Sequence, residues 1–96
     1  MIARVLRVNV RPEQVDDIVK AYREDVRPIH ATAAGLLQHY VLVDRAAGHI
    51  EIIGIWDSAT SVADIAPFLE PARQRLWARF GSSPPLEVYE VADELR

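Results

Sequence analysis

Between Ile50 and Trp56 the chain reads Ile-Glu-Ile-Ile-Gly-Ile-Trp, a strand-length run with apolar residues on both sides of its pleat. Ile50, Ile52 and Trp56 fall on one side with Gly54 between them, while Ile53 and Ile55 fall on the other. Such a strand needs cover on two faces. In a chain of 96 residues one layer of helices supplies only one of them. Residues 2–10 pose the same problem. Ile2, Leu6, Val8 and Val10 point one way, and Ala3, Val5, Arg7 and Asn9 the other.

The remaining elements follow from local signals. Pro12 suits a first helical turn, where its missing N–H has no partner to lose, and Glu13, Asp16 and Asp17 add favourable negative charge there. Val15, Ile18, Val19, Tyr22, Val26 and Ile29 then recur at helical spacing, with Lys20, Arg23, Glu24 and Arg27 opposite. Pro28 ends that helix on this reading, and residues 31–35 form a loop. A second strand spans residues 36–43, a turn residues 44–48, and the two-sided strand completes a hairpin. Asp57 or Ser58 caps a second helical region. Pro67 and Pro71 predict that this region breaks into two segments, about 58–66 and 67–80, with Leu69, Ala72, Leu76 and Phe80 facing inward. A short last strand covers residues 86–92.

The order β-α-β-β-α-β predicts a single ferredoxin-like α+β domain over residues 1–96, in which a four-stranded antiparallel sheet carries its helices on one face. The other face would expose a contiguous apolar patch, which soluble monomers rarely do. A homodimer with its sheets packed face to face removes that patch. The hydrophobic share of 50% is generous for so short a chain and fits a second buried face.

Composition narrows the function classes. Eleven basic and 14 acidic residues are interspersed, giving a net charge of −3 and no basic patch for nucleic acid. The chain has no cysteine, so disulfides and thiolate chemistry are excluded. No apolar run approaches a membrane span, and residues 1–7 lack a signal peptide's apolar core, so a cytoplasmic protein is expected. His30, His39 and His49 are assigned to a loop, a strand and a turn, so no metal-ligand spacing is apparent; no glycine-rich phosphate loop appears either, and no metal or cofactor is expected.

The strand ending Ile52-Ile53-Gly54-Ile55-Trp56-Asp57-Ser58, the run from Val8 to Gln14, and Gly35 ahead of Leu37 and Tyr40 together resemble the antibiotic biosynthesis monooxygenase superfamily of dimeric α+β barrels. The resemblance spans nearly the whole chain. It implies two back-to-back sheets and a pocket in each subunit between sheet and helices. Members include cofactor-independent oxygenases of polycyclic phenols, haem-degrading enzymes and quinol oxygenases. This chain departs from those patterns. Ile65 stands where members often carry a helix histidine. The haem-degrading branch's tryptophan and axial histidine would fall near Ile65 and Arg75, and Asn9 lies too late in its strand to match that branch's asparagine.

Candidate chemistry rests on few residues. His39 shares an otherwise apolar strand face with Leu37 and Val41. It reads first as a hydrogen-bonded core or interface residue, and second as a general base working near neutral pH. Trp56 reads first as packing. Trp77 and Phe80 suit either the core or the walls of a slot for a flat aromatic ligand. Tyr22 lies on the inner stripe of its helix, so its hydroxyl can reach a pocket. Arg7 and Asn9 would bind an anionic or carbonyl group if their strand face looks into that pocket; otherwise Arg7 pairs with an acid across the dimer. Arg73 and Arg75 read as solvated helix residues. The expectation is a homodimer that binds a small aromatic molecule, such as a hydroquinone, and oxidises it with dioxygen through His39. A ligand-binding or partner-binding dimer without catalysis, or an isomerase or cyclase on the same scaffold, is the alternative.

Overall fold

A computed structural model describes residues 1–95. The elements run β1 (Ile2–Asn9), a 3₁₀ turn (Pro12–Gln14), α1 (Val15–Asp25), α2 (Arg27–His30), β2 (Leu36–Asp44), β3 (His49–Trp56), α3 (Ala59–Arg79) and β4 (Leu86–Glu90). The four strands form one sheet in the order β2-β3-β1-β4, with all three pairings antiparallel. This is the ferredoxin-like fold. Each half contributes a strand at the centre and a strand at the edge, and the helices lie on one face.

The register divides the side chains between two faces. Toward the helices point Leu6 of β1, Val41 and Val43 of β2, and Ile50, Ile52 and Trp56 of β3. They pack against Val15, Ile18, Tyr22 and Val26 of the first helical layer and Ile65, Leu69, Ala72 and Leu76 of α3. On the far face, cross-strand rows run Tyr40–Ile53–Val5–Glu87 and Gln38–Ile55–Ala3–Tyr89. Tyr40 and Tyr89 are about half exposed there. Both faces of β1 and β3 are therefore apolar, and no helix covers the second.

Two expectations about helices need correction. Pro28 does not end helix at once; it sits in the first turn of the short α2, which carries His30 inward as a buried residue. Its missing N–H falls where a helix start leaves donors unpaired in any case. Nor do Pro67 and Pro71 break α3, a continuous 21-residue helix. The two prolines are four residues apart and exposed, so they lie along one solvent-facing stripe. The carbonyls of Ala63 and Pro67, deprived of their usual N–H partners, face water on that side. Meanwhile Ile65, Leu69, Ala72 and Leu76 keep the buried stripe unbroken.

Ser58 caps α3 by accepting from the Ser61 N–H at 3.2 Å. Gly48 closes the β2–β3 turn with φ of 69°, and its carbonyl accepts from the Val10 N–H at 2.7 Å. A β-bulge between Leu36 and Gln38 shifts the register of β2. As a result Leu37 is 48% exposed rather than sharing the face of His39, whose company is Val41 and Val43.

Candidate functional site

The helix-facing side of β2 places His39 opposite Gly54. One turn beyond Val26, α2 brings His30 to the same point, and Tyr22 reaches it from the inner stripe of α1. The Tyr22 hydroxyl bridges the two imidazoles, 2.8 Å from His39 Nε2 and 3.2 Å from His30 Nδ1. The rings lie close as well. The His30 and His39 centroids are 4.3 Å apart, and the Tyr22 and His39 rings stack at 5.7 Å. Gly54 leaves space here. A Cβ on it would come within 3.0 Å of Trp56 Nε1.

Burial sets the electrostatics of this trio. Together with smaller contributions from the neighbouring His39, Arg73 and Arg4, it pushes His30 down to about 3. Burial also lowers His39 below its ordinary value and raises the Tyr22 phenol above its own. At neutral pH all three groups are uncharged. Each imidazole then has one N–H and one lone pair, which is what a hydrogen-bonded proton relay requires.

Two spaces adjoin the trio. On one side is an open pocket of about 420 Å³ lined by Val19, Tyr22, Arg23, Arg27, His30, Ala31, Leu36, His39 and Val41. Such a size and mixed lining suit a small-molecule site. On the other side is a chamber of about 20 Å³, bordered by Arg4, Trp56 and Arg73 as well as the trio. Arg4 and Arg73 both bond the same Glu70 oxygen, Arg4 at 3.1 Å, and the Arg4 Nε is buried without a partner. Two buried guanidinium groups thus share one carboxylate.

The structure brings together His39, Tyr22 and Trp56, and it adds His30, Arg4 and Arg73. Trp56 is 6.3 Å from the His30 ring and borders the chamber, not the open pocket. Trp77 is buried beside a separate groove of about 400 Å³, between α3 and the segment leading into β4. Phe80 packs on the core, with the Arg79 guanidinium 5.5 Å from its ring centre. Arg7 and Asn9 lie on the opposite face of the sheet from His39. There Arg7 pairs with Glu87 at 2.7 Å and Glu51 at 3.3 Å within its own chain, and Asn9 Oδ1 meets His49 Nδ1 at 2.7 Å.

Sequence periodicity held signals for the residues it missed. Arg4 shares the strand parity of Ile2 and Leu6, a charge on an apolar face. Arg73 follows Leu69 by one helical turn, on the flank of the buried stripe. His30 follows Val26 by one turn, a spacing that Pro28 masks when it is taken as a terminator. Among the described residues no group of three or more His, Cys, Asp or Glu side chains is placed to hold a metal ion, and no helix is long and apolar enough to cross a membrane.

The fold and its pocket define a class: a ferredoxin-like domain with an open pocket between the sheet and its helices. The chain belongs to the antibiotic biosynthesis monooxygenase family, whose model matches residues 1–64. That span carries Tyr22, His30, His39 and Trp56 but not Arg73. An uncharacterised protein of Mycobacterium tuberculosis is 27% identical over 90 residues, covering 94% of this chain and 40% of that protein. The chain therefore spans about two fifths of the length of the curated relatives it matches.

Solved structures share the fold. The N63A mutant of SnoaB, a cofactor-independent oxygenase from Streptomyces nogalater, superposes with a TM-score of 0.78 at 16% identity, covering 98% of this chain and 95% of that one. The Mycobacterium tuberculosis protein Rv0793 does so with a TM-score of 0.73 at 14% identity, covering 99% and 98%.

Proposed function

We propose that this chain forms a homodimer through its uncovered sheet face and binds a small phenolic aromatic, such as a hydroquinone, in the pocket between α1, α2 and β2. There it oxidises the ligand with dioxygen and without a cofactor. The observation that carries this reading is the Tyr22 hydroxyl held between two neutral imidazoles at the wall of that pocket. Membership of the monooxygenase family, and the shared fold of an enzyme described as a cofactor-independent oxygenase, support it.

The chemistry needs a base and a destination for charge. A hydroquinone gives up an electron to dioxygen far more readily once deprotonated. His39 serves as the base in the arrangement where its Nε2–H donates to the Tyr22 oxygen and the Tyr22 hydroxyl donates to His30 Nδ1. That leaves the His39 Nδ1 lone pair free for the phenolic proton. With its low pKa His30 stays neutral, so Tyr22 and His30 orient His39 while the new positive charge rests on His39. The phenolate then passes one electron to dioxygen, giving a semiquinone radical and superoxide. Arg7 and Asn9, on the far face, have no part in this. Behind the trio, Arg4, whose buried Nε lacks a partner, offers a positive charge toward the developing oxyanion.

Oxygen uptake with a panel of hydroquinones tests the reading. The wild-type protein should consume dioxygen in step with substrate, and His39→Ala should lose about 10²-fold or more of that rate. Uptake no faster than the uncatalysed background sinks the oxygenase reading. The same base takes protons without needing oxygen, which favours an isomerase or cyclase as the second reading. Turnover of a ligand under anaerobic conditions would select it.

A further inference from the structure

The chain as a whole is acidic, with a net charge of −3, yet the only formal charges lining the pocket beside the trio are positive. Arg23 and Arg27 line the pocket, and no carboxylate does. Neither arginine has an ion-pair partner among the described residues, whereas Arg4, Arg7, Arg11, Arg45, Arg73 and Arg79 all do. Behind the pocket, Arg4 and Arg73 set two guanidinium groups against the single Glu70 carboxylate. The imidazoles between these layers are neutral and offset none of it. A cleft lined by one sign of charge concentrates ligands of the other. Both arginines belong to the helical layer, away from the sheet face assigned to the dimer, so assembly through that face leaves them open.

Resting on the proposed phenol-binding pocket, we propose that its ligand is an aromatic acid: a ring that carries a phenolic hydroxyl toward His39 and a carboxylate held by Arg23 and Arg27 at the mouth. The orientation follows from desolvation. Burying a carboxylate costs far more than burying a hydroxyl, so the acid stays at the exposed arginines and the hydroxyl goes to the relay. Two guanidinium groups also suit a planar carboxylate better than point charges would.

Calorimetric titration of the wild-type protein with 2,5-dihydroxybenzoate, its methyl ester and hydroquinone tests this. At low salt the acid should bind about tenfold tighter than the ester, the gain expected from two partly exposed charge-assisted contacts. The advantage should shrink as salt is added. In an Arg23→Gln, Arg27→Gln double variant the ratio of acid to ester affinity should fall to about one. The substitutions lie on exposed helix surface, and circular dichroism checks that the variant is folded. Equal binding of acid and ester by the wild type overturns the inference and leaves the phenol pocket standing. So does a tenfold preference that survives in the double variant, since the carboxylate is then held elsewhere. Failure of all three compounds to bind overturns the pocket reading and this inference with it.

Discussion

Tyr22 shows how one hydroxyl can satisfy a buried and a half-buried imidazole and organise a site at once. Without it, ring nitrogens of His30 and His39 would lose their partner inside a largely apolar layer. Tyr22→Phe is therefore expected to destabilise the fold by about 1–3 kcal/mol in chemical denaturation. It should also cut turnover, because His39 loses the contact that fixes its tautomer. An unchanged denaturation midpoint would mean that the relay is not formed in solution. His30 adds a pH dependence whose sign is fixed. Its folded value of about 3 lies below the ordinary histidine value of 6.5, so the unfolded chain binds more protons between those limits. Stability is full above pH 6.5 and is lost as pH falls toward 3, by about 2 kcal/mol at pH 5. His30→Gln should flatten that part of the curve, and a pH-stability profile unaffected by the substitution would contradict the assignment. Of this trio, Tyr22 and His39 are legible from strand and helix periodicity. His30 is not, because whether Pro28 stops a helix or starts one depends on where the preceding turn ends.

At the scale of elements, α3 shows where local rules yield to packing. Each proline costs the helix a hydrogen bond, and sequence alone divides the segment there. The buried stripe from Ile65 to Leu76 holds it in one piece because both prolines sit on the wet side. Pro67→Ala restores an N–H to the Ala63 carbonyl and is expected to raise stability by about 1–3 kcal/mol. An unchanged or lowered midpoint would show that the proline is compatible with its place for reasons beyond hydrogen bonding. The strands are the opposite case. Apolar alternation together with turn signals marks all four and their order in the chain, and the two-sided pattern of β1 and β3 has few other solutions. It could not foresee the bulge that turns Leu37 outward, because an inserted residue changes the face without changing the composition.

Across the whole molecule, the sheet divides labour between its faces. One carries the core and the relay. The other presents the half-exposed Tyr40 and the partly exposed Ile53 and Ile55 beside an ion-paired corner of Arg7, Glu51 and Glu87, with no helix over them in the single chain. A second copy laid on this face would cover the apolar rows and leave both pockets open. Ile53→Glu places a charge in the middle of the row and is expected to give monomers, or insoluble protein, in place of dimers. A variant that sediments like the wild type would place the interface elsewhere. The sequence could suggest that a second covered face is needed, from the apolar pairs of β1 and β3, but it could not place Arg7. Both sides of β1 carry an arginine, and only the register shows that Arg4 joins the site while Arg7 joins the outer face.

Native mass spectrometry of the protein with added 2-methylhydroquinone tests this division most directly. The account predicts a species of twice the 10.8 kDa chain carrying two ligands, one in each pocket. A monomer at micromolar concentration, or a dimer that binds one ligand across its interface, would contradict it.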